Sequence, residues 1–303
     1  MQIDTRKILS TYGLKYNPFD TDKPASAIFM PPRLNKEIWR IETLVMEGGI
    51  AGIISDPGTG KSVFLRYLAN HLEKIPDIQI VHMDRPQSSL SDFYRELGAI
   101  FDLELKVSHR WGGFRALRDK WLRHTQATLF RPILMIDEAQ LMHHQTLTEL
   151  RLLSSEKFDS RKLLTIILAG DQRLAAKLTT PDLLPLNSRM RRIEVARADK
   201  EELIMILQHL LKAAGNESLM SDGLIKLLVD HACGNPRKLM GISSELLAWG
   251  AIQEKDFLDE GLFYDIYQEK LGKPNKPRRL LGANKKRPGL PIKIGQVHLT
   301  VSC

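Results

Sequence analysis

Apolar residues follow two rhythms along this chain. Between residues 46 and 198, short apolar-rich runs alternate with amphipathic stretches; beyond Asp199 only the helical rhythm continues. The short runs at 50–55, 78–83, 133–136 (wholly apolar), 163–169 and 193–196 predict five strands, and apolar strands alternating with helices point to a parallel sheet covered on both faces. Leu34, Ile38, Ile41 and Val45 recur at helical spacing and predict a helix over 34–46. Further helices are expected at 63–72, at 90–101 with Ser91 as cap, at 115–125 and at 147–153; residues 105–114, with Gly112-Gly113, are expected to be irregular. Asp199 has the capping chemistry to start a helix over 200–214, and helices over 221–232, 236–251 and 257–269 follow with no strand between them. The expected architecture is therefore an α/β layer followed by a small all-helical unit. The expected divisions are a leading segment and helix (1–45), the α/β domain (46–198), the helical domain (199–270) and a tail (271–303).

Between the first strand and the next helix stands Ser55-Asp56-Pro57-Gly58-Thr59-Gly60-Lys61-Ser62, then Val63. Strand, glycine loop and helix are the context of a phosphate-binding loop. Its glycines let successive N–H groups turn inward, and the helix start adds positive partial charge. In that reading Asp56 to Val63 hold the nucleotide, Lys61 reaches its phosphates, and Ser62 binds Mg²⁺. Ser55 stands where the pattern expects glycine. It is the loop position furthest from the terminal phosphate, so slow or partner-dependent hydrolysis is a more natural consequence than lost binding.

A second element lies about 75 residues downstream: Ile133-Leu134-Met135-Ile136-Asp137-Glu138-Ala139-Gln140. Carboxylates at the carboxyl end of a buried parallel strand face the crevice where such sheets bind ligands. Asp137 would act through the Mg²⁺ shell, and Glu138 would polarise the attacking water.

Together these motifs resemble an AAA+ ATPase. More narrowly, residues 10–265 are similar to the family of ExeA-type secretion ATPases and TniB/TnsC/MuB-type transposition regulators. The resemblance implies an AAA+ P-loop fold with a central parallel five-stranded sheet and a C-terminal helical lid, using ATP and Mg²⁺. Tyr12-Gly13-Leu14 and Asn17-Pro18-Phe19 resemble the family's opening motif, and Phe19, Ile28 and Phe29 become candidate adenine contacts. Ile167-Leu168-Ala169-Gly170-Asp171 resembles the strand leading to sensor 1, with Asp171 in the sensor position and Gln172 as a competitor. Asn187-Ser188-Arg189-Met190-Arg191-Arg192 resembles the segment carrying the arginine finger; Arg189 is the first candidate, with Arg191 and Arg192 as rivals. Gly234-Asn235-Pro236-Arg237 matches the sensor 2 motif and assigns Arg237 to the lid. A cation at a helix start opposes the macrodipole, which is easier to understand if Arg237 meets a phosphate.

Composition sharpens the partner. The chain carries 44 basic and 36 acidic residues; eight of the basic ones and none of the acidic ones fall in 271–303, so residues 1–270 are balanced. Such a tail suits either attraction to nucleic acid phosphates or simple solvation. The resemblance also puts DNA-facing residues after the second strand, at Lys106, Ser108, His109, Arg110 and Trp111. It implies a homo-oligomeric ring or filament on double-stranded DNA that recruits a transposase. The competing implication is a secretion-assembly ATPase, although such proteins typically continue into a membrane span and a cell-wall-binding domain; a scaffold with little turnover is a third. No apolar run reaches the length of a membrane span. Two distant cysteines, Cys233 and Cys303, fit a reducing, cytoplasmic setting.

Overall fold

The computed structural model describes residues 5–103, 110–127, 131–157 and 160–270. In chain order the elements are α1 (Thr5–Tyr12), α2 (Asn35–Glu47), β1 (Ile50–Ile54), α3 (Lys61–Leu72), β2 (Ile78–His82), α4 (Leu90–Ile100), α5 (Arg110–Ala127), β3 (Arg131–Ile136), α6 (His144–Leu153), β4 (Ser155–Glu156) and β5 (Arg161–Lys162). They continue with β6 (Thr165–Gly170), α7 (Gln172–Leu178), α8 (Leu184–Asn187), β7 (Met190–Glu194), α9 (Lys200–Ala214), α10 (Asp222–Ala232), α11 (Pro236–Ile252) and α12 (Glu260–Lys270).

Five strands form one parallel sheet in the order β2-β3-β6-β1-β7; β4 and β5 make a separate two-residue hairpin. Alternation along the strands divides the core. Ile50, Leu134, Ile136, Ile166 and Leu168 enter the cluster formed with α4, α5, α6 and α7. Their neighbours Ala51, Ile53, Ile133, Met135, Ile167 and Ala169 enter the cluster formed with α2 and α3. Two-residue periodicity thus covers both faces of the sheet with helices. Gly52 is required by close approach, since a Cβ there would lie 2.2 Å from Met190 Sδ.

The helical part has its own core, built from α9, α10, α11 and α12. Its first helix is fixed locally: Asp199 accepts from Glu202 N at 2.7 Å, the Glu202 side chain returns to the Asp199 backbone, and left-handed Gly215 ends the helix. This is a complete capping box. Tyr12, Leu14 and Phe19 are buried in the same core. The beginning of the described chain therefore packs with its last helices, whereas α2 packs on the sheet.

Several boundaries differ from expectation. Ser89, not Ser91, caps α4: its side chain accepts from Asp92 N at 3.2 Å and its backbone is extended, while Ser91 lies inside the first turn. Helix α5 begins at Arg110 and runs through Gly112 and Gly113, where a helix was not expected. Burial of Leu117 and of Trp121, set edge-on against Phe101 at 5.2 Å, overrides the local cost of glycine. Helices α1, α7 and α8 were also not foreseen. The basic tail lies outside the described residues.

Candidate active site

The sheet order reverses at β1, which lies between β6 and β7. A crevice at the carboxyl ends of strands on either side of such a reversal is where ligands bind open α/β sheets. The loop after β1 occupies it. Gly58 and Gly60 have φ of 82° and 102°, the left-handed region that glycine tolerates. Ser55 is not among the residues with left-handed backbone, so this position does not need glycine. Ser55 is buried, its Oγ lies 2.7 Å from Thr59 Oγ1, and Thr59 Oγ1 donates onward to Asp56 O at 2.9 Å. The departure from the glycine pattern therefore braces the loop internally.

Lys61 opens α3 with its side chain folded back, donating to Ser55 O at 2.8 Å and Asp56 O at 3.0 Å. Burial pushes the Lys61 ammonium below its usual range; Glu138, Asp137 and Asp171 push the other way, and Arg237 adds to the lowering. These influences bring the residues expected from four separate segments around one ammonium. Next to it, Ser62 Oγ donates to Asp137 Oδ2 at 2.6 Å, joining the loop to the end of β3.

A hydroxyl beside a carboxylate is a hard oxygen pair of the kind Mg²⁺ accepts with one or two protein ligands plus phosphates and water. Among the described residues no group of three or more His, Cys, Asp or Glu could hold a metal by itself. The donor set therefore fits a phosphate-bound Mg²⁺ at Ser62 and Asp137, rather than an all-protein cage.

Glu138 follows with left-handed backbone (φ 53°) and receives the side-chain amide of Gln140 on Oε2. Asp171 follows the last residue of β6 and caps α7, accepting from Arg173 N at 2.9 Å. Its carboxylate also binds the Arg173 guanidinium, at 2.9 Å from Nε and 2.6 Å from Nη2. This pairing, led by the side-chain hydrogen bonds, holds the Asp171 carboxyl below its usual range. Gln172, the competitor, is exposed in the first turn of α7. Arg173 and Gln140 were not singled out in the sequence. For Arg173 the signal was an Asp-x-Arg spacing at a strand-to-helix junction; for Gln140 there was none beyond its place in the acidic motif.

The helical part meets the loop directly. Arg237 N donates to Gly58 O at 3.3 Å and Asn235 Nδ2 to Pro57 O at 3.3 Å. A Cβ on Gly58 would lie 2.5 Å from Asn235 Oδ1. Arg197 Nη2 pairs with Asp56 Oδ2 at 3.2 Å.

Beside the loop lies a largely apolar cleft, walled by Ile28, Phe29, Gly60, Val63, Pro236 and Met240 among others. Its walls come from the leading segment, the loop and the lid, and it suits a planar base. Phe19 is not on this wall. It packs with the helical core, its N–H donating to Asn17 Oδ1 at 3.0 Å.

The three finger candidates sit elsewhere. Residue 190 pairs with Ile50, at the amino end of β1, and Glu194 with Ile54. At about 3.3 Å per residue, Arg189 stands on the order of 15 Å from its own loop, beyond the reach of its side chain. Arg191 is engaged by α2, at 2.9 Å from Arg40 O and 3.1 Å from Glu47 Oε2. Arg192 Nη2 donates to Asn187 Oδ1 at 3.1 Å, and Arg189 Nη1 to Pro185 O at 2.7 Å. Arg191 is thus tied to α2, whereas Arg189 and Arg192 are tied to the neighbouring α8.

Of the DNA candidates, Lys106, Ser108 and His109 lie outside the described residues, and Arg110 enters as the first residue of α5. Trp111 is 73% exposed, stacked on Phe114 at 5.7 Å, with the Arg118 guanidinium 5.1 Å from the Phe114 ring. Among the described residues no helix is long and apolar enough to cross a membrane.

Comparison with known proteins agrees with this geometry. Residues 45–178 match the family described as AAA domain. General secretion pathway protein A of Aeromonas hydrophila is 28% identical over 184 residues, covering 59% of this chain and 32% of that protein. The chain thus spans about a third of this relative's length. Among solved structures, the ORC1 protein of Aeropyrum pernix in complex with DNA superposes with a TM-score of 0.64 at 13% identity, covering 84% of this chain and 68% of that one. The ADP form of the Aeropyrum pernix ORC2 protein gives 0.63 at 13% identity, covering 83% and 72%. The chain has the AAA+ P-loop fold, with a five-stranded parallel sheet and flanking helices.

Proposed function

We propose that this chain is a Mg²⁺-dependent ATPase that assembles on double-stranded DNA, as a ring or filament, and recruits a transposase from the cytoplasm. The observation that carries the ATPase reading is the hydrogen bond between Ser62 and Asp137, formed across the crevice beside Lys61 and Glu138. Lys61 would exchange the loop carbonyls for the β and γ phosphates, whose charge would offset the burial that depresses its basicity. Mg²⁺ held by Ser62 and Asp137 would neutralise charge on the leaving and transferring groups. Glu138 would take a proton from the attacking water as the γ-phosphorus–oxygen bond to ADP breaks. Arg237 would reach the phosphates from the lid, Asp171 would set the sensor position through its pair with Arg173, and Arg189 of a neighbouring copy would complete the charge. The finger's distance from its own loop is the reason turnover would depend on assembly.

The DNA reading is supported by the exposed Trp111 in the first turn of α5, which follows Lys106, Ser108, His109 and Arg110 in the sequence. Basic and aromatic side chains suit phosphate contact with little reading of base sequence. The fold is shared with an ORC1 protein solved with DNA. A second reading, secretion assembly, is favoured by the similarity to general secretion pathway protein A. Steady-state ATP hydrolysis with and without double-stranded DNA separates them. Turnover stimulated by DNA, and suppressed as salt rises, is expected. Turnover that DNA leaves unchanged at low salt would favour the second reading.

A further inference from the structure

Behind the hydrolytic centre one side chain does something that no phosphate or metal role accounts for. Gln140 lies in the short turn after Glu138 and is only 6% exposed. Its amide nitrogen donates to Glu138 Oε2, and its amide oxygen accepts from Asp171 N at 3.3 Å. These two partners fix the orientation of the amide, because reversing it would set oxygen against carboxylate and N–H against N–H. Its own backbone carbonyl is held by Lys177 Nζ at 2.6 Å. Room for it depends on Gly170, where a Cβ would fall 2.7 Å from Gln140 Oε1. Glu138, meanwhile, has left-handed backbone and lines the groove that Ser62 and Asp137 also line.

We propose that Gln140 is the positioning residue of the hydrolytic centre: its buried amide ties the Glu138 carboxylate to the backbone at the carboxyl end of β6, so that the base and the sensor strand keep one fixed spacing. A carboxylate on a left-handed residue has few local restraints. Gln140 restrains one oxygen and leaves the other for water in the groove. A shift of the β6 end when a γ-phosphate arrives would then move the base with it, without any direct contact between Glu138 and Asp171. The proposal rests on the ATPase reading, in which Glu138 is the base.

The test uses the full chain with Gln140→Met, which keeps length but removes both hydrogen bonds, and Gln140→Glu, which can still accept from Asp171 N but faces a second carboxylate. Gln140→Met is expected to lower kcat roughly 10- to 100-fold, with KM and the Kd for a fluorescent ATP analogue within about threefold. In Gln140→Glu the facing carboxylates would share one proton, with Lys61 from α3, Asp137 from β3 and Arg173 from α7 as the other charges around Glu138. The acid limb of its kcat profile should therefore move to higher pH. Unchanged kcat and a superimposable pH profile would overturn the proposal, as would a loss of nucleotide affinity that parallels the loss of kcat. A readout apart from turnover separates this proposal from the ATPase reading. The melting temperature of Gln140→Glu should fall further below wild type at pH 8 than at pH 5.5, because repulsion is relieved on protonation. A difference independent of pH would mean that residue 140 does not face Glu138, even if the chain hydrolyses no ATP.

Discussion

At their carboxyl ends β1, β3 and β6 lead into Lys61, Asp137, Glu138 and Asp171, three carboxylates acting on one ammonium. At the amino end of β7 the chain carries Arg189, Arg191 and Arg192 within four residues, with no carboxylate among residues 185–192. The first group is interlocked by hydrogen bonds across the crevice. The arginines are instead held separately, Arg191 by α2 and Arg189 and Arg192 by α8. A parallel sheet fixes this separation, because every strand points the same way and its two ends cannot meet in one chain. Under the proposed function each copy would hold most of one site and, at Arg189, the cation that completes another.

Breaking the carboxyl end should have the largest effect. Lys61→Ala removes the only ammonium in the loop and should weaken ATP binding at least about 100-fold, measured by titration of a fluorescent analogue. At the opposite end, Arg189→Ala should leave that binding unchanged while turnover in the assembled state falls by roughly 10³ or more. Mixing the two inactive variants sharpens the comparison. If the finger acts in trans, sites pairing an intact loop with an intact finger re-form and activity returns; a mixture as inactive as its parts would place the missing cation within the same chain. Glu138→Gln should retain ATP and lower kcat by about 10²–10⁴, trapping the assembled form. Wild-type turnover in that variant would remove Glu138 from the role of base. The smallest effect concerns the rim. The depressed carboxyl of Asp171 stabilises the fold above its unfolded pKa, and that contribution disappears as pH falls through the lowered folded value. The melting temperature of Arg173→Ala should therefore lie below wild type at neutral pH, and the two should converge in strong acid. A gap that persists there would assign the loss to packing.

What could be read in the sequence was what adjacent residues determine. The Lys61-Ser62 and Asp137-Glu138 pairs sit at strand ends, where direction is set by the pleat and burial by the apolar run before them. Asp199 and Glu202 fix a helix start within four residues. What could not be read depends on partners far along the chain. Arg191 meets Glu47 across 144 positions, and Gln140 meets Asp171 across 31. Phe19 looked like a wall for adenine because it is aromatic and follows a turn, but its neighbours are in helices that begin after residue 199. Ser91 and Ser89 are chemically identical caps, and only the backbone dihedrals select between them. Helix α5 hides its start behind two glycines, because the burial that overrides them comes from α4 and its flank.

The packing of the first helix against the last ones also bears on how the chain is made. Lys15 N donates to Ala214 O at 2.9 Å, Asn216 Nδ2 donates to Tyr12 O at 2.9 Å, and a Cβ on Gly250 would lie 2.5 Å from the Tyr12 hydroxyl. At the ~5–20 residues per second of synthesis, the segment around Tyr12 waits on the order of ten seconds or more for partners that lie beyond residue 199. The sheet and its phosphate loop can close in that interval. Tyr12, Leu14 and Phe19 stay apolar and unsheltered until the helices that bury them have been made.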